Sequence, residues 1–265
     1  MILQNYFNSL ITKIRASNII KNHCKWWVVV IIPVWMVVCY FAAQALLIGM
    51  EWILIKLDCP LLSINKTILN ASLSVILYII TLALIIGIPW LVKKRATINK
   101  TDMGLQRWMS WTDVILAPAG MVVYLILSSL LILLATKIFP WFDVNQTQQT
   151  GFGQLNFRYE YIVAFVTLVV IAPVAEEVIF RGYLFGKLRK FVPFWIAAVV
   201  TSVLFGFAHG AWNVAIDVFV LSMVSCFLRE STGNIWTSIL IHMLKNGLAF
   251  YILFINPLLL TTIGG

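Results

Sequence analysis

Apolar positions along this chain come in long runs and do not alternate with polar ones. Runs of spanning length fall at roughly Trp26 to Gly49, Asn70 to Val92 and Val114 to Thr136, each close to the ~20 residues that a hydrocarbon core asks of a helix. A fourth begins at Tyr161 and continues into charged residues. A fifth covers about Phe194 to His209, a short sixth about Val214 to Leu228, and a seventh about Ile235 to Ile255. Ahead of them Leu3, Tyr6, Phe7, Leu10, Ile11 and Ile14 recur at three- and four-residue steps, with Asn5, Asn8, Lys13 and Arg15 between them. That period predicts an amphipathic helix lying in the membrane surface, as an anchor, a gate or a plain lead-in to the first span. The expected fold class is all-α: a polytopic membrane helical bundle of about seven transmembrane helices with an N-terminal amphipathic interfacial helix. Residues 1–112 would hold the interfacial helix and accessory spans, and 113–265 a bundle with its chemistry at about 160–250.

Composition strengthens this reading. Of 265 residues 62% are hydrophobic and 11% charged, against roughly 25% charged in soluble domains. The net charge of +9 does not point to nucleic acid, because the basic residues are scattered through short loops between apolar runs. They are also one-sided. Lys13, Arg15, Lys21, Lys25, Lys93, Lys94, Arg95, Lys100, Arg107, Lys187, Arg189, Lys190 and Arg229 fall at one end of the expected bundle, and only Lys56, Lys66, Lys137 and Arg158 at the other. Basic loops stay in the cytoplasm, so the N-terminus is expected inside and the C-terminus outside a membrane, the cell membrane of a bacterium. No small-residue cleavage site follows a short apolar core, so the first span should be retained. Cys24, Cys39, Cys59 and Cys226 are too dispersed for a disulfide framework. The chain has no C-x-x-C, H-E-x-x-H or glycine-rich phosphate loop.

The chemistry has to come from charges placed where charge is costly. Glu176, Glu177 and Arg181 follow fifteen uncharged residues, Tyr161 to Ala175. An Asp, Lys or Arg at the centre of a spanning helix costs about 2.5 to 3.5 kcal/mol, so ionisable groups there pair, line a wet cavity or react. The i,i+4 spacing sets Arg181 beside Glu177, while Glu176 points about 100° away, outside that pair. The expected division is a Glu177–Arg181 scaffold and a Glu176 tool. Pro173 should kink this helix and leave a carbonyl unpaired near the site. Phe205 and His209 share a helical face with Ala198 and Ser202, small residues that admit a close neighbour. His242 and Asn246 share another. A turn at Val192-Pro193, midway between 176 and 209, would bring Glu176 and His209 to one depth. Lys245 is expected to face away from the site and to snorkel or pair, and Asp217 to be interfacial. His209 alone could be a neutral core histidine, and His242 with Asn246 could be interhelical glue.

Three ordered motifs, Glu-Glu-x-x-x-Arg at 176–181, Phe-x-x-x-His at 205–209 and His-x-x-x-Asn at 242–246, resemble those of the CAAX-protease and bacteriocin-processing (CPBP, or Abi) membrane proteins, related to the type II CAAX prenyl endopeptidases. The likeness covers roughly 160–250. It implies an intramembrane endopeptidase acting from a cytoplasm-facing cavity on peptides or proteins at the membrane, with Glu176 and His209 activating water and His242 and Asn246 stabilising the oxyanion. Glu177, Arg181 and Phe205 would support that site. Family members are often labelled metalloproteases, and Glu176, His209 and His242 would offer a three-ligand zinc site. The metal-free reading, with no cofactor, is preferred because Glu176 then keeps a base role and Asn246 gains one. The non-enzymatic alternative is a bacteriocin-immunity or membrane scaffold protein.

Overall fold

A computed structural model describes residues 26–60, 64–93, 98–144, 151–153 and 155–257; the expected interfacial helix lies outside them. The described elements are α1 (Val28–Lys56), α2 (Lys66–Lys93), the short α3 (Lys100–Met103), α4 (Trp111–Ile138), α5 (Arg158–Arg189), α6 (Phe194–Phe207), α7 (Trp212–Thr232) and α8 (Trp236–Ile255). No strand occurs among the described residues. The chain is a polytopic helical membrane bundle.

Five helices, α1, α2, α4, α5 and α8, are long and apolar enough to cross a bilayer. The other two of the expected seven differ for physical reasons. Helix α6 has 14 residues, about 21 Å at 1.5 Å per residue, short of a ~30 Å hydrocarbon core. Helix α7 has 21 residues but includes Asp217, Arg229 and Glu230. It packs against α4, α6 and α8, and Val218, Leu221, Ser222, Ser225 and Cys226 along it are fully buried. A helix surrounded by protein does not need the uniform apolarity of one facing lipid. Gly206 lets α6 and α7 approach, since a Cβ there would stand 2.9 Å from the Ala215 carbonyl.

Turns follow local chemistry. Pro193 is the N-cap of α6, where its fixed φ and missing N–H do no harm, so the turn expected at Val192-Pro193 is present. Gly233 ends α7 at φ +73°, the left-handed cap that glycine adopts freely.

Exposed tryptophans mark two levels. Trp26, Trp27, Trp90, Trp108, Trp111 and Trp195 stand at the helix ends carrying the basic loops, and Trp52, Trp141 and Trp212 at the opposite ends. Such belts sit at membrane–water interfaces. At the basic end the segment around α3 is latched to the core. The Arg229 guanidinium donates to the Asp102 carbonyl at 3.0 Å, Gln106 to the Gly233 carbonyl at 2.7 Å and the Trp236 indole to the Arg107 carbonyl at 2.8 Å. Lys190 pairs with Asp102, and Arg189 with Glu230 at 2.6 Å.

Candidate active site

Helix α5 is not uniformly α-helical. Two π-helical stretches, Val166–Ile171 and Val178–Phe185, flank Ala172–Glu177, and π-turns in α-helices collect at functional sites. The first has a readable cause. In π register the Ala172 N–H bonds the Thr167 carbonyl, so the next donor would be Pro173, which has no N–H. The Leu168 carbonyl, whose partner that would be, instead accepts from Asn246 Nδ2 at 2.9 Å. Pro173 therefore frees a carbonyl as the sequence suggested, and Asn246 answers it. An unpaired backbone group in hydrocarbon costs several kcal/mol.

Glu177 and Arg181 form a fully buried i,i+4 ion pair at 2.9 Å. The same Glu177 Oε1 lies 2.9 Å from Nδ1 of His242. Arg181 rests on the face of Phe205, its Cζ 4.4 Å from the ring centroid, a cation–π contact that strengthens when desolvated. Phe205, fully buried, also meets the rings of Phe180 at 4.8 Å, His209 at 4.9 Å and His242 at 5.7 Å. One aromatic ring thus spaces the scaffold pair and both histidines. Ala198 and Ser202 on the same helix are fully buried.

Glu176 points the other way, into a cavity of about 610 Å³ bounded by α1, α2, α5, α6 and α8. Its Oε1 accepts from the Tyr78 hydroxyl of α2 at 2.7 Å, and its Oε2 lies 3.8 Å from Nε2 of His242. His209 also lines the cavity, although it stands just past the end of α6 in the turn before Gly210 (φ +74°), not on the helix itself. Its Nδ1 is 2.8 Å from the Phe205 carbonyl. Asn246 and Lys245 complete the polar wall. His242 is buried behind Glu176 and is not part of the described lining.

The imidazole tautomers follow from these partners. A carbonyl and a carboxylate only accept, so both Nδ1 atoms carry hydrogen. A ring in its neutral form then offers a lone pair at Nε2. Three residues of this neighbourhood had no expected role or a different one. Tyr78 is a single tyrosine in an apolar run on a helix distant in sequence, and only the packing of α2 on α5 reveals it. Lys245, expected to face away, lines the cavity instead, although it does pair, 3.7 Å from Asp217. Asp217, expected at the interface, accepts from the hydroxyls of Tyr124 and Ser128 of α4, each at 2.6 Å. This network ties α4, α7 and α8 together beside the cavity.

Residues 158–248 match the family described as type II CAAX prenyl endopeptidase Rce1-like. The membrane-embedded CAAX protease MroQ of Staphylococcus aureus (strain USA300) is 31% identical over 94 residues, 33% of this chain and 38% of MroQ. YdiL of Bacillus subtilis (strain 168), described as a candidate membrane peptidase, is 31% identical over 77 residues, 29% of this chain and 32% of YdiL. The UPF0177 protein YxdF of Lactococcus lactis subsp. lactis (strain IL1403) is 25% identical over 97 residues, 36% of this chain and 53% of YxdF. No solved structure matches. This segment carries the likeness to the CAAX-protease family. The matched stretch spans a third to about half the length of these relatives. It contains Glu176, Glu177, Arg181, Phe205, His209, His242 and Asn246, and leaves out Tyr78 and all of α1 to α4.

A metal held at this site would have to be shared by Glu176, His209 and His242. The donor chemistry suits zinc, since both histidines spend one nitrogen on an acceptor as metal ligands do. The spacing does not suit it: among the described residues no three His, Cys, Asp or Glu side chains stand together as a metal site.

Proposed function

We propose that the chain is an intramembrane endopeptidase, a hydrolase that cleaves membrane-associated peptides or proteins with a water activated by Glu176. The observation that carries this reading is the cavity itself: Glu176, His209 and Asn246 line one enclosure, while Glu177 and Arg181 neutralise each other outside it. Glu176 Oε2 takes a proton from water, and the Nε2 lone pair of His209 accepts the water's other hydrogen and orients it. The water oxygen attacks the scissile carbonyl carbon, and the C=O π pair moves onto oxygen. The second hydrogen of the Asn246 amide, the one not given to Leu168, donates to that oxyanion. Collapse breaks the C–N bond, the proton held by Glu176 goes to the leaving amine, and a carboxylic acid and an amine remain, the acid then giving its proton to the amine. His242 is held by Glu177 through Nδ1 and stands 3.8 Å from Glu176; it could donate to an oxyanion from Nε2 only as an imidazolium.

Access follows from the rim. The large lining residues most open to the outside of the bundle are Phe41 of α1, Phe207 of α6 and Leu253 of α8. All three are apolar and face the bilayer, which favours a substrate that enters from lipid.

The test compares peptides released from membranes of cells making the wild type or Glu176→Gln, read by mass spectrometry. The same proteins, purified in lipid, are then assayed on an internally quenched peptide carrying the mapped cleavage sequence. Loss of roughly 10²- to 10⁴-fold in rate at unchanged folded yield is expected for removal of a general base. Cleavage by Glu176→Gln at the wild-type rate would overturn the reading. Stoichiometric zinc in active wild type, with activity lost on chelation, would replace the metal-free mechanism with a metal-dependent one.

A further inference from the structure

The carboxylate of Glu176 is held from outside the family domain. Helix α2 contributes Ser74, Leu77, Tyr78 and Thr81 to the cavity wall, and of these the Tyr78 hydroxyl donates to Glu176 Oε1 at 2.7 Å. A carboxylate on a long side chain in a roomy cavity can turn about its last two bonds. With one oxygen tied to Tyr78 and no hydrogen bond from His242, whose Nε2 stands 3.8 Å from the other, the two oxygens are made unequal and rotation of the group is restrained. Tethered Oε1 has spent a lone pair, while Oε2 keeps its own for a water proton.

We infer that Tyr78 is a positioning residue for the reaction: its hydroxyl orients Glu176 so that Oε2 is the basic oxygen, and the α1–α2 pair is thereby part of the working site. This rests on the proposed role of Glu176. The plainer account of the contact is that a half-buried tyrosine hydroxyl needs some acceptor. That account predicts a cost in folding and none in catalysis.

Tyr78→Phe keeps the ring and its packing and removes only the donor. A hydrogen bond to a charged group is the stronger kind, and a misplaced catalytic group costs up to about a hundredfold. The expected result is a kcat lower by roughly 10- to 100-fold, with KM and folded yield near wild type. The probe is the quenched peptide mapped with Glu176→Gln, cleaved by full-length protein in lipid. A second readout does not need turnover: the infrared carboxylate band of Glu176, defined as wild type minus Glu176→Gln, should shift in Tyr78→Phe. An unshifted band with wild-type kcat overturns the inference and leaves the proposed function standing. A Tyr78→Phe protein that is merely less stable, with kcat per folded molecule unchanged, overturns it as well. If Glu176→Gln itself cleaves normally, the failure lies with the proposed function.

Discussion

Glu177 holds two buried partners on one oxygen, Arg181 at 2.9 Å and His242 at 2.9 Å, so its loss and the loss of Arg181 are not equivalent. Arg181→Ala leaves a buried carboxylate without its counter-charge, a change that costs roughly 3 to 5 kcal/mol. Folded yield and thermal midpoint in detergent should fall sharply. Arg181→Lys keeps the charge but gives up the planar contact with Phe205, and should fall in between. The double variant Glu177→Gln, Arg181→Met removes both charges while retaining a side-chain oxygen for His242 Nδ1–H. Its midpoint should exceed that of Arg181→Ala; a midpoint at or below it would show that the charges are not what Arg181 balances. The pairing was legible in the sequence because an i,i+4 contact is fixed within one helix. The Tyr78–Glu176 contact was not, because it depends on how two helices nearly a hundred residues apart come together.

At the scale of the helix, Pro173 and Asn246 form a compensating pair. The sequence indicates that Pro173 must free a carbonyl, but no spacing rule says which side chain answers it, since Asn246 arrives from α8. The amide of Asn246 has two hydrogens, one on Leu168 and one available to the cavity. The two uses can be separated. Asn246→Ala should destabilise the protein by about 1 to 3 kcal/mol, the usual penalty of a buried unsatisfied group, and should lower the rate by about 10²- to 10³-fold if an oxyanion donor is lost. Adding Pro173→Ala supplies a backbone N–H in the register where one is missing. In the double variant the thermal midpoint should recover while the rate stays low. Recovery of both would reduce Asn246 to a filler of the Leu168 carbonyl and remove it from the mechanism. The helix pattern also limited the span count: long lipid-facing runs such as α1 and α4 announce themselves, whereas α7, enclosed by α4, α6 and α8, can carry Asp217 and its serines without betraying a span by hydropathy.

For the whole molecule, orientation in the membrane follows from how charge is divided between the two ends of the bundle. Basic residues and tryptophans agree on where the two surfaces lie. Lys100, Arg107, Lys187, Arg189, Lys190 and Arg229 cluster at the end where the α3 segment is latched, and six of the exposed tryptophans ring that end. Retention of basic loops in the cytoplasm leads to the expectation of Lys100 and Gly233 inside and Asp143 outside, with the C-terminus on the side of Asp143. The prediction is that reporters fused after Lys100 and Gly233 report the cytoplasm, and those after Asp143 and Gly265 the opposite side. The Gly265 result alone cannot judge α6 and α7, because removing both crossings leaves the parity between Lys100 and Gly265 unchanged. A membrane-impermeant thiol reagent acting on Gly210→Cys in a background without the native cysteines supplies that measurement. Labelling from outside means that α6, short as it is, carries the His209 turn to the outer half of the bundle; labelling only after permeabilisation means that α6 and α7 enter and leave from the cytoplasm. A Gly265 reporter on the same side as Lys100 would overturn the orientation, and with it the cytoplasmic placement of the latched end.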